Sequence, residues 1–153
     1  MKKSILIIAI LIASISCKTG KFQQESSIRP GKVEHYFTSV ESDKPEFLVL
    51  KSQEDFGKNF HPAKTMTNSP TVIDFSKSFV GAIVLPASEY EINIKLDTAY
   101  ITGKTLHIRY DVSKGEEQRA FLSKPQIAFT IDSSLAADSV SFECKESSVT
   151  LPL

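Results

Sequence analysis

The sequence predicts an α+β fold in which a mainly antiparallel sheet of about six to eight strands carries one short packed helix. Three observations lead to this expectation. Apolar and polar residues alternate with a period of two through most of the chain after residue 30, which is typical of strands with one solvated face. The run 79–85 is apolar nearly throughout, as expected of a central strand covered on both faces. One stretch, starting at Ser52, has the residues of a helix N-terminus.

The first 16 residues have the composition of an export signal. Lys2 and Lys3 precede an apolar run that ends in small residues before Cys17, the arrangement of a signal peptide and its cleavage point. A cysteine at this position is typical of bacterial lipoproteins, in which the thiol is diacylated. The run from Ser4 to Ser16 is shorter than the roughly 20 apolar residues of a membrane-spanning helix. We therefore predict lipidation of Cys17, with ordinary secretion and a free Cys17 as the alternative.

Cleavage before Cys17 divides the chain into three parts. Residues 1–16 form the signal peptide, 17–30 a lipid-anchored polar tether, and 31–153 a single globular domain. Lys18 stands where some lipoproteins carry an aspartate for inner-membrane retention, and no acidic cluster follows, so we expect the outer membrane and its periplasmic face. Without the two leader lysines, 16 basic side chains face 18 acidic ones. This balance argues against a nucleic-acid partner.

Strands are expected wherever the alternation is sustained. The clearest pair is 90–97 and 106–112, joined by a turn at Gly103, since glycine readily takes the positive φ of hairpin turns. Further strands are expected at 33–40, 47–50, 127–131 and 140–144, with a loop at 132–139. A domain of this length can bury enough apolar surface without a disulfide. Cys144, in the inward phase of the last strand, is therefore expected to be a buried and inert thiol.

The single helix is expected to begin after Ser52. Ser52 is a favourable N-cap, and acidic residues follow in the first turn. Phe56 and Phe60 are spaced i, i+4, so both lie on one helix face. This face is expected to dock on the second side of the central strand 79–85, and Pro62 is expected to end the helix.

The order of these elements resembles a known family. A strand runs into a short helix at 51–56, and the segment 72–77 then leads into the apolar strand. A Tyr-x-Ile-x-Ile strand from Tyr90, its hairpin partner and a late Pro-x-Ile strand from Pro125 follow. Over about residues 45–143 this is similar to the PrcB-type lipoproteins, apart from a Ser-Glu pair before Tyr90 where Gly-Gly is expected. The resemblance implies stabilisation of a secreted protease complex and no catalytic residues.

Residues with catalytic or metal-binding chemistry are sparse. His35, His61 and His107 are isolated and lack the spacings of a metal site. His107 is expected to be solvated on the polar face of its strand. A nucleophile pair of His107 with Cys144 is not expected, because side-chain alternation along their strands places the two residues on opposite faces. No hydrolase or phosphate-binding motif is present, so we expect no catalytic residues, no metal and no cofactor.

Two polar stretches are candidate contacts for a partner. One is the set Asp74, Ser76 and Lys77 at the entry to the central strand, although a turn bonded to its own side chains explains these residues adequately. The other is the charged segment 113–119, which we expect to be a flexible loop. Binding residues concentrate on loops carried by a rigid scaffold. Its candidate contacts are Glu116, Glu117 and Arg119.

These observations favour a non-enzymatic, lipid-anchored envelope protein that binds or stabilises an envelope protein partner, with a protease as one candidate. The alternative is a lipoprotein that binds a small molecule or glycan in a cleft between sheet and helix. A hydrolase with an unrecognised site is a third hypothesis. A large apolar pocket with converging polar groups would favour the alternative, and an exposed apolar patch would favour the protein partner. The sequence does not specify an oligomeric state.

Overall fold

The computed structural model describes residues 27–145 and 147–153. The predicted signal peptide, Cys17 and most of the predicted tether lie outside the described residues. Within them the α+β prediction is confirmed, with ten strands, more than the six to eight expected, and one helix. In chain order these are β1 Gly31–Val33, β2 Tyr36–Thr38, β3 Glu46–Leu50, α1 Gln53–Asn59, β4 Phe60–Pro62, β5 Ser78–Val84, β6 Ser88–Thr102, β7 Thr105–Ser123, β8 Gln126–Asp132, β9 Ser139–Cys144 and β10 Ser147–Pro152.

The strands form three sheets. The first sheet has the order β1-β8-β5-β3, the second sheet has the order β10-β9-β7-β6, and β2 pairs with β4 in a small sheet. All described pairs are antiparallel except β7 with β9, which are parallel. The first sheet is the middle layer, because one hydrophobic cluster joins it to the second sheet and another joins it to α1 and the small sheet.

The central strand β5 is covered on both faces, as predicted. Phe79 and Ile83 belong to the cluster shared with the second sheet. Val80 and Val84, on the alternate face, belong to the cluster that contains Phe56 of α1. Alternation along the strand therefore supplies two layers at once, and the prediction that the helix covers the second face is confirmed.

The helix starts where predicted and ends earlier. The Ser52 side chain accepts a hydrogen bond from the backbone N–H of Asp55 at 3.1 Å, which satisfies a free donor of the first turn. The prediction that the helix extends to Pro62 is wrong. Phe60 is already extended, with φ −132° and ψ 133°, because it begins β4 and pairs with Thr38. Its ring still stacks on Phe56, at a centroid distance of 5.1 Å.

The single strand predicted over 33–40 is replaced by two short strands in different sheets. His35, between them, has φ +64°, a left-handed conformation that interrupts an extended chain. β1 therefore pairs with β8 in the first sheet, whereas β2 pairs with β4. This break places the two halves of one amphipathic stretch in two different sheets.

Four strands form one long antiparallel ribbon that folds back on itself. β5 pairs with β8 from Ser78 to Val84, and the Leu85 N–H continues this ladder by donating to the Pro125 carbonyl at 2.9 Å. β6 then pairs with β7 up to the predicted hairpin turn at Gly103, which has φ +62°. Because the ribbon bends near Leu85, its two halves face each other in the first and second sheets.

The structure differs from the sequence predictions at 113–119 of β7 and at Cys144 of β9. The flexible loop predicted at 113–119 is wrong, because these residues continue β7 and pair with β6. The predicted loop between β8 and β9 is present. Cys144 packs against the main hydrophobic cluster but is half-buried, so it lies at the margin of the core rather than inside it.

Candidate functional site

Asp74, Ser76 and Lys77 form a turn whose polar groups bond to each other. The Asp74 Oδ1 accepts hydrogen bonds from the Ser76 backbone N–H at 3.0 Å and from its hydroxyl at 2.6 Å. These two bonds lower the pKa of the Asp74 carboxyl. Lys77 Nζ lies 3.5 Å from Asp74 Oδ2. This geometry is that of the self-bonded turn, in which the Asp74 side chain remains 55% exposed.

The two predicted sets of contact residues lie near opposite ends of β5. The turn immediately precedes Ser78, and the chain enters β6 after Val84. Glu116, Glu117 and Arg119 lie on the part of β7 that pairs with the start of β6. Seven strand residues span roughly 20 Å. The structure therefore does not bring the six predicted residues together as one site.

The second set belongs to a bulged part of the ribbon, here called the corner ribbon, made of 88–93 of β6 and 113–123 of β7. Between paired positions, β6 advances four residues from Ser88 to Ile92, while β7 advances nine from Lys114 to Ser123. Register shifts on both sides of Tyr90 absorb the additional β7 residues as bulges. β9 pairs with β7 only over 105–109. Among the described strands, β6 is therefore the one partner of β7 in the corner ribbon.

Two neighbouring apolar side chains of the corner ribbon stand in solvent. Phe121 is 62% exposed and Leu122 is 66% exposed. Both residues lie between the paired positions Gln118 and Ser123, within a bulge, and their exposure means that no described element covers this part of the ribbon. Glu116 and Glu117 are also exposed, which places two carboxylates on the same strand as this apolar pair.

Cross-strand contacts hold the corner ribbon in shape. Arg119 Nη2 lies 2.8 Å from Glu91 Oε2 on β6, and the Arg119 guanidinium lies 5.7 Å from the centroid of the Phe121 ring. Further contacts across the two strands join Gln118 to Glu89 and place Lys114 over the Tyr90 ring. Arg119 therefore positions the ribbon, while the two glutamates make no ion pair with any described residue.

Sequence reasoning missed a polar cluster on the outer face of the second sheet, here called the Glu143 cluster. One carboxylate oxygen of Glu143 lies 2.5 Å from His107 Nδ1, and the other lies 3.3 Å from Arg109 Nε. Arg109 also donates to the Tyr100 hydroxyl at 2.7 Å, and the Tyr100 and His107 rings stack at 4.9 Å. His107, expected to be solvated, has a side chain only 22% exposed. The parallel register of β7 and β9, a non-local feature, brings these residues together.

The Glu143 cluster holds its carboxylate in the ionised form. Partial burial acts to raise the pKa of Glu143, but the hydrogen bonds and charges of His107 and Arg109 outweigh it, so the pKa is lowered. Cys144 packs against the core, on the side of β9 away from this cluster, so the pair of His107 with Cys144 does not form. No group of three His, Cys, Asp or Glu side chains in the described ranges could hold a metal ion.

A cleft of about 770 Å³ opens between the edges of the two large sheets, here called the inter-sheet cleft. Its wall comes from β6 and β8, and the segment leading into β1 crosses it. The apolar residues that line it include Ile28, Ile94, Leu96, Ala99, Ile127 and Phe129. The cleft therefore lies between two sheets, whereas the alternative hypothesis placed one between sheet and helix.

Comparison with known proteins identifies no match: no family model, no curated protein and no solved structure is similar to this chain. The resemblance to the PrcB-type lipoproteins therefore stays a prediction. The described part of the chain contains no helix long and apolar enough to cross a membrane. The described residues offer three features for binding or chemistry, which are the corner ribbon, the Glu143 cluster and the inter-sheet cleft.

Proposed function

We propose that this protein is a non-enzymatic, lipid-anchored protein of the bacterial cell envelope that binds an envelope protein through the corner ribbon. The observation that carries the proposal is the adjacent pair Phe121 and Leu122, exposed by 62% and 66% on a strand with an open edge. Adjacent exposed large apolar side chains support an interaction surface, because contiguous exposed apolar patches are characteristic of binding sites on folded domains.

The chemistry of the corner ribbon suits a protein partner. Protein interfaces combine an apolar, often aromatic centre with a charged rim. Phe121 and Leu122 supply the centre, and Glu116 and Glu117 supply the rim. The ion pair of Arg119 with Glu91 fixes the ribbon before binding, which reduces the conformational entropy lost on association.

The open edge of β7 suggests how the partner binds. Beyond residue 109, β9 no longer pairs with β7, so the backbone N–H and C=O groups on that side are available to an added strand. Strand addition draws its affinity from main-chain hydrogen bonds and its specificity from side-chain pockets. We expect an extended partner segment to pair along β7 and to cover Phe121.

The location follows from the predicted lipidation of Cys17. Two acyl chains on one thiol provide the two hydrophobic signals that stable anchoring requires. An anchored domain with the predicted tether 17–30 meets partners at the outer membrane, on its periplasmic face. The resemblance to the PrcB-type lipoproteins makes a secreted or membrane-associated protease complex the first partner class to test.

The test is chemical crosslinking and affinity isolation of the full chain from native membranes. Phe121→Ser with Leu122→Ser should reduce recovery of the crosslinked partner about tenfold, the loss expected of central interface residues. Val149→Ser is the matched control, because Val149 is an exposed apolar residue, 38% exposed, on the distant edge strand β10. Equal recovery with the double variant and the control would contradict the proposal.

Two further measurements separate binding from folding and anchoring. Thermal unfolding of the double variant should match that of the parent chain, because neither side chain is buried. Cys17→Ser should release the protein from the membrane fraction while the purified chain still binds the isolated partner. Retention of Cys17→Ser in the membrane fraction would contradict the lipid anchor. The double variant tests the binding surface independently of this result.

A further inference from the structure

The inter-sheet cleft exists because a short strand closes the core on this side. β1 has three residues and pairs only with 128–130 of β8. Ile94, Leu96 and Ile127 pack against the main hydrophobic cluster and are only partly buried. Each of the three also lines the cleft. Their free sides therefore form an aliphatic wall that is open to solvent.

The segment before β1 ties the two sheets together across the cleft. The Ile28 N–H donates to the Ala99 carbonyl of β6 at 2.8 Å, and three residues later Gly31 pairs with Thr130 of β8. The segment bridges the edges without filling the space between them. The remaining volume of about 770 Å³ lies within the roughly 300–1,000 Å³ typical of ligand pockets.

The wall made of Ile94, Leu96 and Ile127 favours an aliphatic ligand. Phe129 is the one aromatic residue in the described lining, and it is 1% exposed, so no ring is free to stack on a sugar. Ile94 and Leu96 offer no hydrogen bonds to a polar molecule. The lining residues of β6 run from Ile94 to Ala99, roughly 17 Å of strand. An extended hydrocarbon chain fits this shape better than a glycan does.

The rim of the cleft has a small excess of positive charge. Its charged side chains are Arg29, Lys32, Glu34, Lys95 and Asp97. Lys32 and Glu34 lie 3.8 Å apart and pair with each other. Arg29 and Lys95 make no ion pair with a described residue, and neither does Asp97. Two cations against one anion favour a ligand with a negatively charged head.

We infer that the inter-sheet cleft binds a free fatty acid, with its chain along β6 and its carboxylate near Arg29 or Lys95. This site is separate from the corner ribbon and does not depend on the proposed partner. With Cys17 lipidated, the ten residues from 17 to 26 span at most roughly 36 Å when extended. The mouth of the cleft is then within reach of the membrane surface, where fatty acids partition.

An introduced tryptophan provides the reporter, because the chain contains none. The full chain with Thr98→Trp, at an exposed position that lines the cleft, is placed in phospholipid nanodiscs and titrated with brominated dodecanoate. Its fluorescence should be quenched saturably, and unlabelled dodecanoate should restore it. Val149→Trp, three strands away across the second sheet, should not be quenched. Equal quenching of both reporters would overturn the inference.

Two isoleucines on the same face of β6 give a matched pair of variants. Ile94 lines the cleft and Ile92 does not. In the Thr98→Trp background, Ile94→Asn should weaken dodecanoate binding about tenfold, the effect of losing one buried aliphatic side chain. Ile92→Asn should change it less than about twofold. Equal weakening by both variants, each with unchanged circular dichroism, would show that the cleft wall does not bind the chain.

The head group and the source of the ligand are tested separately. Arg29→Gln with Lys95→Gln should weaken dodecanoate binding several-fold, and this difference should shrink at high salt. Dodecanol binding as tightly as dodecanoate would overturn the assigned head group. Nanodiscs made with brominated phospholipid, without free acid, should leave the Thr98→Trp fluorescence unchanged. Quenching by that phospholipid would assign the cleft to a membrane lipid and overturn the free fatty acid.

Discussion

The two halves of the long ribbon differ in register, cover and exposure. In the half formed by β5 and β8, seven consecutive residue pairs follow without a shift, and Val80 and Ile83 have no exposed surface. In the corner ribbon the register shifts twice within five residues of β6, and Phe121 is mostly exposed. One continuous two-stranded ribbon therefore contains both a fully enclosed and a strongly exposed part.

The difference teaches that covering layers fix the register of this ribbon. A slip by one residue in β5 would exchange its two faces, although both are apolar, and would misplace every side chain packed against the helix and the second sheet. In the corner ribbon no described layer covers the strands, so bulges are tolerated there. Large apolar side chains at such a place contribute little to the core, which is why we assign them to binding.

The largest expected effect contrasts two phenylalanines. Phe129 is 1% exposed in the packed half and Phe121 is 62% exposed in the corner ribbon. Phe129→Ala should lower the free energy of unfolding by about 3–5 kcal/mol, because it leaves a cavity in the core. Phe121→Ala should lower it by less than about 0.5 kcal/mol. Urea unfolding measures both, and a large loss in Phe121→Ala would mean that the corner ribbon is packed.

Two glycines give the next contrast. A Cβ at Gly81 would lie 2.6 Å from Phe129 Cε2, inside a filled core, whereas one at Gly115 would lie 3.3 Å from Glu91 Cβ. Gly81→Ala should therefore lower the free energy of unfolding by about 1–3 kcal/mol through overpacking. Gly115→Ala should change it by less than about 1 kcal/mol. Equal midpoints for both variants in urea would contradict tight packing of β5 on β8.

The Glu143 cluster predicts a pH-dependent contrast with Glu117 of the corner ribbon. Glu143→Gln should cost about 1 kcal/mol at pH 7, because the charged hydrogen bonds of His107 and Arg109 are weakened. The pKa of Glu143 is lowered in the folded state, so the stabilisation is present above the ordinary glutamate pKa of about 4.3. It is lost as the pH falls through the lowered value of the folded state.

Glu117→Gln is the control for this pH dependence, since Glu117 makes no ion pair with a described residue. Thermal unfolding from pH 7 to pH 3 should show the parent chain and Glu143→Gln converging, while Glu117→Gln follows the parent throughout. A constant difference between the parent and Glu143→Gln at all pH values would rule out an ionised, stabilising Glu143.

The smallest expected effect concerns the ion pair of Arg119 with Glu91. A double-mutant cycle of Arg119→Gln and Glu91→Gln should give a coupling of roughly 0.2–1 kcal/mol, as for other partly exposed pairs. The same variants should speed amide exchange in the corner ribbon and leave exchange in β5 and β8 unchanged. Uniform acceleration along the whole ribbon would mean that the two halves open as one unit.

The sequence predicts the features that depend on neighbouring residues. Alternation identifies β6, β7, β8 and β9, the apolar run identifies the central strand, and Ser52 locates the start of the helix. These signals are local, because side-chain direction repeats every two residues in a strand and the N-cap bonds within one turn. The position of the packed helix also follows, since the second face of β5 needs a cover.

The features that escape prediction depend on contacts between distant parts of the chain. The positive φ of His35 divides one apparent strand, and pairing with β6 turns the charged segment 113–119 into a strand. The Glu143 cluster requires the parallel register of β7 and β9. Of the candidate contacts, Asp74 can be interpreted from its own turn, whereas the exposure of Phe121 emerges only once the surrounding layers are placed.

The unequal lengths of the two strands in the corner ribbon have an evolutionary consequence. Between paired positions, β7 already has nine residues against four in β6. No described layer packs on this part of the ribbon, so packing does not fix the length of either strand. Residues could therefore be inserted or deleted between Lys114 and Ser123 while β5, β8 and the hairpin turn keep their phase. We expect length variation among natural variants of this chain to concentrate there, so that the partner-binding strand can diversify without a change in the core.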